Sequence, residues 1–364
     1  MQIGGQLAMR NVITKREGIT IGMDLGDKAN RICVLDAEGN ELEKVEISNT
    51  ARAIDGYFGR YRGVLVALEA GTHSPWISRK LENMGHRVLV GNPRRLRAIW
   101  SSPNKSDMRD AEMLARIGRF DPKLMYPIHH RSEQAHSDLE LVKSRDILVR
   151  VRSKLVNHVR GAVKATGVRI PKCSLECFHK RAAEHIPHIL KTAIEPLLET
   201  IEKLNVRIKE YDRKIERLSK ERYPETARLL QIKGVGPVTA LAFVLTLEEH
   251  ERFQRSRSVG AYLGLTPRRD QSGETDKQLR ITKAGNTYLR QLLVNCVHYI
   301  MGPFGKECDL REYGMRIASR GGKNAKRRAV VAVARKLTIL LHHLWVSGEE
   351  YIPLHKEAIK KLAA

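Results

Sequence analysis

The sequence predicts an α/β amino-terminal domain, a helical coiled-coil spacer and a mainly α carboxy-terminal domain. Three observations carry this. Short β-compatible apolar segments alternate with helix-periodic segments in the first part of the chain. Strand signals then disappear between Glu133 and Arg222, where Leu, Val and Ile recur at three- and four-residue spacing among charges. A second helical region, punctuated by glycine, starts near Glu225.

Residues 19–25 form the first strand, which carries Asp24 in IGMDLG. Residues 31–36 and 42–47 continue as strands. The short turn Ala37-Glu38-Gly39-Asn40 makes them antiparallel neighbours. A helix spans Arg52 to Tyr61. VLVAL (64–68) is a buried strand with Glu69 at its end. PWISRKLENMG (75–85) is a helix stopped by Gly85, and HRVLVGNP (86–93) a strand closed by Pro93. A further helix starts near Ser106. Three strands followed by alternating helix and strand fit a mixed sheet of the ribonuclease H type, with function at the strand ends.

In the spacer, residues 197–218 keep a near-heptad register through Leu197, Ile201, Leu204, Ile208, Tyr211, Ile215 and Leu218. This reads as a long helical hairpin or coiled coil, serving as an intramolecular pair or as a dimerisation arm. The divisions fall at 1–18 (an extension), 19–130 (the α/β domain), 131–224 (the spacer) and 225–364 (the carboxy-terminal domain).

The 364 residues include 65 Lys plus Arg against 41 Asp plus Glu, a formal charge of +24, with a pI near 10.0. Half of that excess lies in residues 226–364. Such a surface concentrates polyanions, so nucleic acid is the first partner expected. Only 5 % of residues are aromatic, which argues against a reader built on base-stacking platforms. Five cysteines, an odd number in a long chain, fit a reducing compartment. Cys173, Cys177 and His179 lack a second ligand pair at zinc-finger spacing. No apolar run reaches the ~18 residues of a membrane span, and no signal-peptide block opens the chain. A cytoplasmic protein without membrane contact is expected.

Four acids stand out. Asp24 and Glu69 end apolar strands, where water is scarce and a lone charge is costly. Asp107 and Asp110, three residues apart, share one helix face. A divalent cation resolves such a conflict, and Mg²⁺ favours carboxylate oxygens plus water and phosphate. Two such ions stabilise both the attacking and the leaving oxygen of a phosphoryl transfer. The plainer alternative is that each acid caps a loop or a helix start. Asp-Leu-Gly after a strand also opens sugar-kinase and actin-type ATPases, but a second Asp-x-Gly strand and a glycine-rich adenosine loop are not clear here.

Ile232-Lys233-Gly234-Val235-Gly236-Pro237 has the form of a helix–hairpin–helix turn, in which amides at a helix start hold a phosphate oxygen. A plain helical turn is the alternative. Further on, Arg268, Arg269, Arg280 and Lys283 surround Ser272-Gly273 in an expected exposed loop. A serine among guanidinium groups is able to attack a phosphodiester, although most loop serines are only polar surface. RGGKNAKRR (320–328), with Lys323, Lys326, Arg327 and Arg328, is a phosphate-facing patch or a solvated charge run.

Taken together, IGMDLG, ALEAGTHSPW, NPRRLRA, NKSDMRDAEMLA, IKGVGPVTA, GAYLGLTPRRDQSGE and ITKAGN closely resemble the DEDD transposases of bacterial insertion sequences, the IS110 group with its IS1111 branch. The resemblance covers nearly the whole chain. It implies a RuvC-like first domain, a coiled-coil spacer and a transposase domain with a helix–hairpin–helix. It puts the family's acids on Asp24, Glu69, Asp107 and Asp110, and its nucleophile on Ser272. It implies Mg²⁺, or Mn²⁺ in its place, a covalent serine–DNA link and a circular DNA intermediate. The implied partners are the element's end and target DNA, a structured guide RNA encoded by the element, and further copies of the chain, dimers pairing into tetramers. A metal-dependent nuclease or junction resolvase with Ser272 idle, and a non-catalytic nucleic-acid-binding protein, are the competing readings.

Overall fold

The computed structural model describes residues 18–99, 106–273 and 275–355. The extension 1–18 therefore lies outside the described residues except for Gly18. The chain divides into two compact units, Met1–Arg131 and Ser132–Ala364.

The first unit contains β1 (Thr20–Leu25), β2 (Ala29–Leu35), β3 (Glu41–Ser48), α1 (Ala51–Phe58), β4 (Leu65–Glu69), α2 (Ser74–Asn83), β5 (Arg87–Gly91), α3 (Pro93–Ile99) and α4 (Asp107–Phe120). The five strands form one mixed sheet in the order β3-β2-β1-β4-β5. β1, β2 and β3 pair antiparallel, while β1, β4 and β5 pair parallel. α1 ends at Phe58, before the expected Tyr61: the Tyr61 amide donates to the Phe58 carbonyl at 2.9 Å, a tighter i→i−3 turn that leaves the α-helical pattern.

Strand alternation separates two faces. Ile21, Met23, Val66 and Leu68 pack with Ile54 and Phe58 of α1 and Ile77 and Leu81 of α2. On the other face α4 covers the sheet, where Ala111 and Ala115 meet Cys33 and Leu35. The fit leaves no space. A Cβ on Gly22 would stand 1.9 Å from the Ala111 carbonyl oxygen and 2.5 Å from the Ala115 nitrogen. A Cβ on Gly118 would stand 2.8 Å from that of Ala67.

The second unit contains α5 (Glu133–Ala165), α6 (Phe178–Ala183), α7 (Lys191–Glu221), α8 (Thr226–Leu229), α9 (Pro237–Leu247), α10 (Ser256–Tyr262), the two-stranded ribbon β6 (Pro267–Ser272) and β7 (Thr275–Ile281), α11 (Thr287–Met301), α12 (Asp309–Ala318) and α13 (Ala325–Ser347). α5 and α7 pair within the chain as a long hairpin. The buried positions of α7 are Ile194, Leu198, Ile201, Asn205, Ile208, Ile215 and Ser219. The seam thus keeps Ile201, Ile208 and Ile215 of the expected register, while Leu197, Leu204, Tyr211 and Leu218 flank it. Asn205 belongs inside because it accepts from Arg152 Nη1 at 2.7 Å and donates to the Glu176 carbonyl at 2.9 Å. Ala135, Leu139, Val142 and Ile215, at the root of the hairpin, share one core with α9, α11 and α13.

α13 corrects the sequence expectation about apolar runs. By length and composition alone this helix is long and apolar enough to cross a membrane. Arg335 and Lys336 are the charged residues that interrupt the apolar stretch after Arg328. Ala329, Val333, Ala334, Leu337, Leu341 and Leu344 are buried in the core of the second unit, so its apolar face is already occupied. Among the described residues no other helix passes this test.

The contact at Gly22 generates a prediction. Gly22→Ala drives a methyl group into the backbone of α4, and overpacking of this kind costs about 3 kcal/mol. Urea denaturation of the variant is expected to show that loss, whereas Gly71→Ala, where a Cβ meets nothing within 4 Å, leaves the midpoint nearly unchanged.

Candidate active site

Asp24 lies two residues beyond Gly22 on β1, and Glu69 two residues beyond Ala67 on β4, so both carboxylates point to the face that α4 covers. The parallel register Met23↔Leu68 puts them at the same end of neighbouring strands. α4 begins at this end. Its first turn carries Asp107 and Asp110, one turn ahead of the Ala111 and Ala115 contact with β1. Capping does not account for these two acids. Ser106 is the N-cap residue, and its hydroxyl accepts from the Arg109 amide at 3.4 Å.

The four acids act on one another. Burial pushes the Asp24 carboxyl up, and the charges of Asp107, Asp110 and Glu69 push it further, to about 6. No basic side chain is among these leading influences. Even so, among the described residues no group of three or more His, Cys, Asp or Glu side chains is placed to hold an ion by itself. The charges converge without closing a coordination shell. Carboxylate oxygens are hard donors, the chemistry that divalent cations prefer.

A neighbouring arrangement has no motif of its own in the sequence. His73 Nε2 lies 3.2 Å from Asp27 Oδ1, and the Trp76 indole N–H donates to His73 Nδ1 at 3.3 Å. That donation leaves the ring proton on Nε2, which donates to Asp27. The pair ties the loop after β1 to the loop after β4, the two loops that follow the acid-bearing strand ends. The only signal was the position of His73 and Trp76 inside ALEAGTHSPW.

In the second unit, Ser272 ends β6 at the tip of an exposed ribbon and pairs with Thr275. The residue is exposed as expected, but in a paired strand and not in a loop. Gly273, at φ +54°, supplies the left-handed turn that lets the strands reverse. Alternation separates the neighbouring charges. Asp270 shares the face of Ser272, whereas Arg269 lies on the other face and pairs with Asp276 at 3.5 Å. Arg280, four residues beyond Asp276 on β7, shares that other face. Arg268 sits at an irregularity between Pro267 and Arg269, and Lys283 follows the ribbon. The ribbon therefore does not gather all these cations around the hydroxyl.

Before α9, Gly234 has φ +105°, and a Cβ there would come within 2.9 Å of the Tyr299 ring and 3.0 Å of Ile300. Only glycine satisfies both the turn and this packing on α11. Gly236 faces open space, and Lys233 is exposed. The helix ahead of this turn, α8, has four residues, shorter than the pattern suggested. Lys323, Lys326, Arg327 and Arg328 are exposed at the start of α13. Lys326 and Arg327 also border an apolar groove of about 610 Å³ between α11, α12 and α13.

Comparison with known proteins covers both units. Residues 21–167 match the DEDD_Tnp_IS110 transposase family, and residues 226–308 match the family described as "Transposase IS116/IS110/IS902 family". The chain is 26 % identical over 343 residues to the transposase for insertion sequence element IS1111A of Coxiella burnetii, covering 91 % of this chain and 90 % of that protein. It is 28 % identical over 284 residues to the transposase for element IS1328 of Yersinia enterocolitica, covering 77 % and 83 %. A pilin gene-inverting protein of Moraxella bovis is 25 % identical over 260 residues, covering 69 % and 70 %.

The raised Asp24 carboxyl makes stability depend on pH with a definite sign. Between the ordinary 3.8 and about 6, the folded protein holds a proton that the unfolded chain has released. The contribution is therefore present below pH 4 and is lost as pH rises through 6. Solvent screening at this half-buried site reduces it to about 1 kcal/mol. In chelator-treated protein, Asp24→Asn is expected to be more stable than the parent at pH 7.5 by about that amount. The difference should shrink towards pH 4.5 in denaturant titrations.

Proposed function

Because the chain belongs to the IS110/IS116 family of insertion-sequence transposases, we propose that it moves its element by Mg²⁺-dependent transesterification through a covalent link between Ser272 and DNA. The observation that carries this reading is the convergence of Asp24, Glu69, Asp107 and Asp110 at one end of the sheet, with the Asp24 carboxyl raised by burial and then by the charges of the other three. The strand order β3-β2-β1-β4-β5 supports a RuvC-like, ribonuclease H-type catalytic domain. In this reading the four acids hold Mg²⁺, or Mn²⁺ in its place. Held there, such a cation would supply charge stabilisation for the phosphate oxygens.

The residues of the chain divide the remaining work. The Ser272 hydroxyl gives up its proton and its oxygen attacks phosphorus. The bond to one DNA oxygen breaks, and that oxygen leaves as a hydroxyl. A hydroxyl end of the exchanged strand then attacks the phosphoserine and releases the serine, so no high-energy cofactor is required. Lys233 and the amides at the start of α9, next to Gly234 and Gly236, hold backbone phosphates as a helix–hairpin–helix turn does. Arg268, Arg269, Arg280, Lys283, Lys323, Lys326, Arg327 and Arg328 add charge for the same backbone. Sequence choice comes from a structured guide RNA of the element, in keeping with the 5 % aromatic content. Copies of the chain work as dimers or tetramers, the acids of one meeting the serine of another. The relationship to a pilin gene-inverting protein is consistent with site-specific exchange between DNA strands.

Ser272→Ala and Asp24→Asn test the reading in cells carrying the element on a plasmid, with joined element ends amplified and counted. Both substitutions are expected to lower junctions by at least about a thousandfold, while electrophoretic binding of an element-end duplex stays within threefold of the parent. Retained activity in Ser272→Ala, with loss in Asp24→Asn, would assign the protein to nucleases that use water. Activity unaffected by either change would leave only nucleic-acid binding.

A further inference from the structure

The serine ribbon is held to the rest of the second unit at its foot, and one buried guanidinium organises that foot. Segment 262–266 enters the ribbon and segment 282–286 leaves it. The two lie backbone against backbone. The Thr282 amide donates to the Thr266 carbonyl at 2.9 Å, and the Lys283 amide to the Gly264 carbonyl at 3.1 Å. Gly264 and Gly285, both at φ +68°, permit this approach. A Cβ on Gly264 would stand 2.2 Å from the Ala284 nitrogen, and one on Gly285 2.1 Å from the Tyr262 carbonyl oxygen.

Arg290 of α11 projects into this junction and is 8 % exposed. Its Nη1 donates to the Leu263 carbonyl at 3.0 Å, on the entering side, and to the Ala284 carbonyl on the leaving side. Its Nη2 donates to Thr287 Oγ1 at 3.0 Å, in the first turn of α11. One rigid, planar donor set thus joins both feet of the ribbon to a core helix, a geometry that a lysine ammonium cannot reproduce.

We infer that Arg290 is a positioning residue for the Ser272 hydroxyl, acting through the foot of the ribbon. This rests on the reading of Ser272 as the nucleophile. β6 is exposed along its whole length, so the bearing of its tip is set where the ribbon is rooted. At ~3.3 Å per residue the tip stands about 20 Å from the foot, and a swing of about ten degrees carries the hydroxyl about 3.5 Å. Misplacement by about 1 Å is enough to cost a reaction two orders of magnitude.

The test uses the full chain with a labelled duplex containing the joined ends of its element, expressed together with the element's RNA. The formation of an SDS-stable protein–DNA adduct is timed and divided by the folded fraction, each variant being assayed 20 °C below its own melting temperature. For Arg290→Lys the adduct rate per folded molecule is expected to fall about a hundredfold, with duplex affinity within threefold of the parent. Amide exchange should rise in 267–281 and stay unchanged in α9 and α13. Thr287→Val removes a single bond from the guanidinium and is expected to give a smaller loss that is not additive with the first. Adduct rates per folded molecule within threefold of the parent in both variants, beside an inactive Ser272→Ala, would overturn the positioning role alone. Adduct formation by Ser272→Ala would overturn the serine reading and this role together.

Discussion

The amino-terminal unit depends on one contact, the seating of α4 on β1 through Gly22. Helix and strand backbones approach more closely there than any side chain would allow. Interiors packed at this density transmit displacement and do not absorb it. The distance between Asp24 on the strand and Asp107 and Asp110 on the helix is therefore governed by a backbone contact no more than about one helical turn away. Small residues on both sides, Ala67, Ala111, Ala115 and Gly118, continue the same close approach along α4. The packing that holds the sheet together is also the packing that brings like charges to one place.

Such a site is maintained against its own electrostatics. Folding collects carboxylates that repel one another and removes water from the one at the strand end. The positive end of α4 offsets part of this for Asp107 and Asp110, since acids in a first turn favour the helix dipole. Asp24 has no comparable relief from a helix end. The remaining conflict stays within the folded unit, beside the bond between His73 and Asp27 that ties the adjoining loops together.

Much of the acid site was legible because each part announces itself locally. Asp24 and Glu69 close apolar runs, and Ser106 marks a helix start three residues before its capping partner Arg109. The strands of the sheet were legible for the same reason. The ribbon was not. Every described residue of β6 is exposed, so no alternation of apolar and polar residues distinguishes PRRDQS from a loop. The seam of α7 was partly legible, since a register drawn through apolar residues passes beside a buried Asn205 that is retained by hydrogen bonds to Arg152 and Glu176. Arg290 left no sequence pattern at all. A buried arginine satisfied by carbonyl oxygens looks the same in a sequence as one dissolved in water, because its acceptors carry no residue identity.

A ribbon of two strands also has two unpaired margins, each a row of donors and acceptors on which another extended chain can assemble. Here those margins belong to a segment dense in Arg, Asp and Gln, with Pro267 at its root. Charge and proline at such places discourage sheet growth between copies. The composition that concealed the ribbon from pattern reading thus serves colloidal stability: an outstretched hairpin is kept from polymerising while it remains uncovered.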